Sequence, residues 1–358
     1  MDDKSFNKVF LLISCFCNCL FLFGCEDEKI YIDETFQIHT EEQANYLEGD
    51  YKYISLYADG SEELSKPNAI TISWDNITNA SEFTFYLSET KDFDIVKKIV
   101  TDKREVSLIN LKINTVYFWY LEYFDGELKK SDVKTFIIDS KTPRNLSIDG
   151  LTNVRDLGGY EVGKNQEIKQ GMIYRSSRLN ENETTDLLIT SSGIKEMVEG
   201  LKIKSELDIR RVDNNENGGI CESPLGESVN YYSVPMKSGG NCILLNKTVI
   251  KDAFAILGNE NNYPIVIHCS IGTDRTGMLC FLINALLGVS EEDLYRDYLF
   301  SNFGNIGGNR TPSIIDTYLL LINACEGNDL SEKTYNYLLS IGVSKVDLNN
   351  IKEIMIED

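Results

Sequence analysis

Ten residues, His268-Cys269-Ser270-Ile271-Gly272-Thr273-Asp274-Arg275-Thr276-Gly277, restrict the folds open to this chain more than any other stretch. Before them, Tyr263-Pro264-Ile265-Val266-Ile267 is a short apolar, β-branched run that reads as a buried strand. After them, Thr276 to Leu287 reads as a helix ending at Gly288. A loop between a strand end and a helix start points its backbone N–H groups inward, and the helix dipole adds partial positive charge there. An oxyanion such as phosphate fits that cradle.

The residues of the loop then suggest a reaction. Five residues separate Cys269 from Arg275. Gly272 allows the tight turn by which the N–H groups of Ser270, Ile271, Gly272 and Thr273 converge, and Arg275 supplies a planar fork for two phosphate oxygens. Cys269 sits at the floor of this positive bowl, whose field favours the thiolate. Attack on phosphorus would give a cysteinyl-phosphate that water hydrolyses in a second step. Thr276 is placed to donate a hydroxyl hydrogen bond to the sulfur. No metal or cofactor is called for.

The leaving oxygen needs a proton. The chain has two histidines, His39 and His268; His39, alone in an acidic stretch, reads as surface, and His268 precedes the nucleophile, where it orients the loop. A carboxylic acid is the expected donor. Asp274, inside the loop, is preferred over Asp208 and Asp213, which lie on or just after another strand-like run.

At these residues the chain resembles the cysteine-dependent protein tyrosine phosphatases. The Gly-Thr-Asp-Arg-Thr-Gly ending resembles a bacterial branch, the tyrosine/serine phosphatase family, as do Asn153-Val154-Arg155-Asp156-Leu157-Gly158-Gly159-Tyr160 and Gly171-Met172-Ile173-Tyr174-Arg175-Ser176-Ser177. The resemblance covers residues 142 to the C-terminus and implies an acid within the loop, in agreement with Asp274. Trp74 and Trp119 both lie outside this region, so the mobile Trp-Pro-Asp loop of other tyrosine phosphatases is excluded. Thr273 stands where the family commonly has Lys. The lost cation makes a phosphoprotein monoester a better expected substrate than a phosphoinositide.

Other residues admit two readings. Arg155 and Asp156 either line a substrate pocket or form an ion pair that pins the domain's entry segment, and Arg175 is divided in the same way. Arg210 and Arg211 read as a paired or solvated strand end. Cys221, Cys242, Cys280 and Cys325 lack metal-ligand spacing.

A formal charge of −21 argues against nucleic acid and anionic membrane surfaces as binding partners. It leaves the local potential of the loop open. At the N-terminus, Lys4 and Lys8 precede a fifteen-residue apolar run, Val9 to Phe23, which is short for a membrane span and suits a secretion signal. Leu22-Phe23-Gly24-Cys25 resembles a bacterial lipobox, which implies a signal peptide over 1–24, lipid attachment at Cys25 and an exported, membrane-anchored protein. Glu26 to Asp50 has nine acidic residues against one Lys, and residues 25–50 read as a solvated tether.

Short alternating runs follow: Ala69 to Trp74, Glu82 to Leu87, Val116 to Leu121 and Val133 to Ile138, with Asp125-Gly126 as a hairpin turn. They indicate an all-β sandwich over 51–140. Trp74 and the Leu111-x-x-x-Thr115-x-Tyr117 pattern resemble a fibronectin type III domain, read as a spacer in preference to an adhesion module. Beyond the boundary at Lys141-Asn145, residues 141–358 alternate strand and helix patterns: a helix over Glu183 to Thr190, strands near Gly200 to Ile209 and Val229 to Val234, and a helix over Lys247 to Gly258. This predicts an α/β domain with a mainly parallel central sheet, its site at the carboxyl ends of the strands. The chain is thus expected to be a phosphomonoester hydrolase acting on tyrosine phosphate, with serine phosphate, phosphoinositides or a non-catalytic phospho-ligand role as alternatives.

Overall fold

Alternation of apolar and polar residues gives the first half of the chain its sheets, as seen in a computed structural model that describes residues 30–75, 77, 80–180 and 187–357. The predicted signal peptide, Cys25 and the start of the expected tether lie outside the described residues. In chain order the first elements are β1 (Glu34–Phe36), α1 (Glu41–Glu48), β2 (Ile70–Ser73), β3 (Phe83–Ser88), β4 (Lys97–Thr101), β5 (Glu105–Leu108), β6 (Val116–Phe124), β7 (Leu128–Lys130) and β8 (Lys134–Ile138). Ile70 and Ile72 face inward from β2 while Thr71 and Ser73 face out, the period of two that a half-buried strand requires. Strands β1, β8, β6, β3 and β4 form one sheet, with β7 on β6, and β2 pairs with β5. Trp74, Phe83, Phe85, Leu108, Trp119 and Phe136 share one buried cluster. Each such side chain contributes about 1.5–3 kcal/mol of burial.

The second half holds β9 (Arg155–Asp156), β10 (Glu161–Val162), β11 (Gln166–Ile168), β12 (Ile173–Ser176), α2 (Ser191–Lys195), β13 (Ser205–Asp208), β14 (Asn230–Ser233), α3 (Cys242–Asn246), α4 (Ile250–Leu257), β15 (Ile265–His268), α5 (Asp274–Leu287), α6 (Glu291–Phe300), α7 (Ser313–Asn323), α8 (Leu330–Ser340), α9 (Lys345–Met355) and β16 (Ile356–Glu357). The central sheet runs β14-β13-β15-β12-β9. Its first four strands are mutually parallel and β9 is antiparallel. Strand β15 is central and all four of its residues are buried, which is why it is apolar on both faces. Helix α5 is buried along nearly its whole length and ends at Gly288, whose φ of 96° is the left-handed cap that stops a helix.

Several expectations are corrected. Residues 34–48, expected as tether, form β1, parallel to β8, and α1, whose cap Thr40 accepts from the Gln43 N–H while Gln43 reaches back. Ile38 joins the sandwich core and Tyr46 the core of the second half, so the acidic segment is stitched between them. His39, expected at the surface, is 2% exposed and its Nε2 lies 2.9 Å from the Pro143 carbonyl oxygen. The helix expected over Glu183 to Thr190 falls partly outside the described residues; 187–190 are not helical, and α2 starts only after Thr190 caps it. The sheets of the first half are also bonded to the second half. Arg144, in the expected boundary, donates to the carbonyls of Asn110 and Leu111 on one side and to Asp156 at 2.7 Å on the other. Residues Ile32–Asp358 accordingly form one unit.

Candidate active site

The loop from Cys269 to Thr273 leaves the end of β15 and enters α5 at Asp274. Gly272 has φ 67°, and a Cβ there would lie 2.3 Å from the Ser176 carbonyl oxygen. The turn passes against the end of β12 too closely for any side chain. Its outer carbonyls are held from behind: Arg175 Nη2 donates to Gly272 O at 2.8 Å, Asn153 Nδ2 donates to Gly272 O at 3.0 Å, and Arg178 N–H donates to Ser270 O at 3.2 Å. With the carbonyls tied outward, the loop's N–H groups are left for a ligand, as anion cradles require.

Cys269 is 2% exposed at the floor of this loop. Arg275 lies in the first turn of α5 and interacts electrostatically with the Cys269 sulfur. Its Nη1 donates to Glu216 Oε2 at 2.9 Å and to the Met236 carbonyl at 3.3 Å, and its Nη2 donates to Glu216 Oε1. Ser270 Oγ donates to the same Glu216 oxygen. Burial acts against the Arg275 charge, but the Cys269 sulfur and the Glu216 carboxylate hold its pKa above the ordinary value. Burial would likewise raise Glu216, yet the hydrogen bonds from Arg275 and Ser270 bring it down to about 2. Glu216 therefore engages both terminal nitrogens of the Arg275 guanidinium and fixes its plane.

His268 lies behind the loop, wholly buried. Its Nε2 is 2.8 Å from Glu206 Oε1 and its Nδ1 is 3.3 Å from the Cys269 carbonyl oxygen. Glu206, Asp208 and His268 bring ligand-type atoms within 4.8 Å of one another. Protein donors already occupy the carboxylates: Ser223 donates to Glu206, and Arg210 and Tyr231 donate to Asp208. The group serves as a brace between β13 and β15.

Asp274 opens α5 with its side chain 41% exposed. Arg310 clamps it, Nε to Oδ1 at 2.9 Å and Nη2 to Oδ2 at 3.1 Å, and Tyr298 donates to Oδ1 at 3.2 Å. The alternative acids are likewise paired with arginines. Asp208 is fully buried in a pair with Arg210, and Asp213 is an exposed partner of Arg211. Thr273 is turned inward, accepting from Asn153 at 3.2 Å, so this position does not face the mouth. Thr276 is buried, but among the described residues its hydroxyl has no hydrogen-bond partner, the expected sulfur included.

Of the two readings of Arg155, Asp156 and Arg175, the buried ion pairs favour the internal one over the substrate pocket. Arg155 and Arg175 are at most 1% exposed and converge on Asp297 of α6, at 2.8 and 2.7 Å. Asp156 pairs with Arg144 and accepts from the N–H groups of Gly158 and Gly171. These residues carry the loop rather than the ligand.

Sequence reasoning missed Glu216, Asn153, Glu206, Asp297 and Arg310. Glu216 lies in the Asn-rich stretch Asn214-Asn215-Glu216-Asn217, and Arg310 follows Gly307-Gly308-Asn309 with no periodic pattern to mark it. Asn153 opens a motif that the sequence displays, whereas Glu216, Glu206, Asp297 and Arg310 act through partners far along the chain.

Residues 146–317 match the model of the tyrosine phosphatase family. A Cupriavidus necator protein with the provisional name of tyrosine-protein phosphatase is 25% identical over 193 residues, 47% of this chain and 66% of the relative. OCA1 of Meyerozyma guilliermondii, similarly named, is 31% identical over 94 residues, 25% of this chain and 50% of its own. The chain thus spans one half to about two thirds of these relatives. The core catalytic domain of the PP-IP phosphatase SIW14 from S. cerevisiae, in complex with citrate, superposes with a TM-score of 0.28 at 21% identity, covering 44% of this chain and 92% of that one. A second structure of the Siw14 catalytic core gives 0.27 at 22% identity, covering 50% and 94%. Scores this low add nothing to the family match.

Proposed function

We propose that the protein is a phosphomonoester hydrolase that works through Cys269, with tyrosine phosphate as its leading substrate. The observation that carries this reading is the loop itself: a buried cysteine before a fourteen-residue helix that carries an arginine in its first turn, with the loop's carbonyls tied away from the centre. The Cys269 thiolate attacks phosphorus, the P–O bond to the leaving group breaks, and Asp274 gives that oxygen a proton. Water then attacks, the S–P bond breaks, and Asp274 takes a proton from the water. Arg275 and the loop N–H groups hold the phosphoryl oxygens through both steps. Depth favours a phenolic ester, since a long flat arm brings phosphorus to a sulfur that a short seryl arm reaches less well.

Export, lipid attachment at Cys25 and a fibronectin type III-like spacer belong to the same proposal. The buried Trp74 and the Tyr117 hydroxyl accepting from the Lys112 N–H at 2.7 Å support the last of these.

The test is hydrolysis of phosphotyrosine, phosphoserine and phosphoinositide substrates by the purified protein in chelator, beside Cys269→Ser. Turnover of phosphotyrosine by the wild type and none by Cys269→Ser is expected. Full turnover by Cys269→Ser, or loss of activity in chelator, contradicts the mechanism.

A further inference from the structure

We propose that Arg310 is the positioning residue for Asp274, and that the segment around Gly60, between α1 and β2, holds Arg310 in place. The inference rests on the reading of Asp274 as proton donor. A carboxylate at the first position of a helix, with 41% of its side chain exposed, has rotamers that point it away from the loop. Here the choice is removed. The Arg310 guanidinium binds both carboxylate oxygens side-on, and the Tyr298 hydroxyl adds a third bond. A planar fork on a planar carboxylate fixes its orientation as well as its position.

Arg310 is itself held at its backbone. The buried Asn302 side chain brackets it, accepting from the Arg310 N–H at 2.7 Å and donating to the Arg310 carbonyl at 2.9 Å. Arg310 Nη1 also donates to Gly308 O at 2.9 Å. That loop is bound to Gly60, which donates to Asn302 O at 2.8 Å and accepts from the N–H groups of Ile306 and Gly308 at 3.0 and 3.1 Å. A Cβ on Gly60 would meet Gly308 O at 2.6 Å, and its φ is 78°. Glycine is needed there for both reasons. A continuous set of contacts therefore runs from Gly60 through the 302–310 loop to Arg310 and the proton donor. The position of Arg310 also favours its charge: although burial opposes it, Asp274, Tyr298 and Cys269 raise its pKa above the ordinary value.

The reaction gives a readout that separates aiming a proton from supporting a fold. Help from an acid matters more as the leaving group becomes more basic, and kcat/KM reports the steps up to cysteinyl-phosphate. The experiment measures kcat/KM for the full chain on aryl phosphates of rising leaving-group pKa and on one alkyl phosphate, for wild type, Asp274→Asn, Arg310→Gln and Arg310→Lys, together with inhibition by vanadate. Arg310→Gln is expected to lose roughly 10- to 100-fold on the poorest leaving group and about 2-fold on the best. Vanadate inhibition stays at the wild-type level, and Arg310→Lys falls between. An equal loss on every substrate, or weaker vanadate inhibition, overturns the proposal, because Arg310 would then support the fold or bind the phosphoryl group itself. If Arg310→Gln does not fold, Arg310→Lys decides: an intermediate slope supports the proposal and a wild-type slope contradicts it. A flat profile for Asp274→Asn would instead refute the assignment of the acid. A steep profile for Asp274→Asn beside a flat one for Arg310→Gln would refute only the role of Arg310.

Discussion

Arg275 Nη1 donates to Glu216 Oε2 at 2.9 Å while Nη2 meets the other oxygen, so one carboxylate spans the guanidinium of the phosphate loop. The pair holds the fork in a single plane before any ligand arrives. Its charge also lessens the positive field of the bowl, and Ser270 completes the link back to the loop.

Glu216→Gln should therefore raise KM for aryl phosphates and weaken vanadate inhibition by roughly 10-fold, since a neutral amide holds the fork less firmly. The pH dependence of stability should change too. Glu216 is depressed from 4.5 to about 2 in the fold, so its stabilisation is complete above 4.5 and is lost as pH falls toward 2. Urea unfolding across that window should show the wild type losing on the order of 2 kcal/mol more than Glu216→Gln. Equal losses would mean that the pair contributes nothing to the fold.

His39 gives a second, separate pH window. Burial lowers it from 6.5 to about 4, against the backbone hydrogen bond at Pro143, so the native state carries the neutral ring. The unfolded chain binds a proton first as pH falls, and stability is lost between 6.5 and 4. His39→Gln should flatten the stability profile there, by up to about 3 kcal/mol across the window. An unchanged slope in urea unfolding would place His39 in water.

Asp297 sits between two buried arginines. Burial works to raise its pKa, and Arg155 and Arg175 together hold it below the carboxylate range. Asp297→Asn leaves two guanidinium groups facing one neutral amide and should cost about 3–5 kcal/mol, read as a fall in Tm or in urea midpoint. The folded fraction should keep its KM, because neither arginine reaches the ligand. A change in KM with wild-type stability would restore Arg155 and Arg175 to the substrate pocket.

What the sequence disclosed follows from range. The strand, turn and helix around Cys269 are encoded within about twenty-five residues by a β-branched run, a glycine with positive φ and a glycine cap, and they were legible. The short strands of the sandwich were legible for the same reason, by their alternation. The acidic segment misled, because charge density masks that Ile38 and Tyr46 are spaced to bury in two different cores. Arg155 and Arg175 were ambiguous in sequence, since only the fold shows that Asp297 stands between them. Arg310 and Glu216 carry no local signal at all. Their partners lie 36 and 59 residues away, and such pairs become visible only when the chain is folded.

The central claim, that phosphate passes through sulfur, is tested most directly by acid-quenching the enzyme during turnover of an aryl phosphate and locating the phosphoryl group by peptide mass spectrometry. The account predicts a phosphoryl adduct on Cys269 in the wild type, more of it in Asp274→Asn where its hydrolysis is slowed, and none together with no turnover in Cys269→Ser. Turnover by Cys269→Ser at the wild-type rate, or an adduct on another residue, would contradict it.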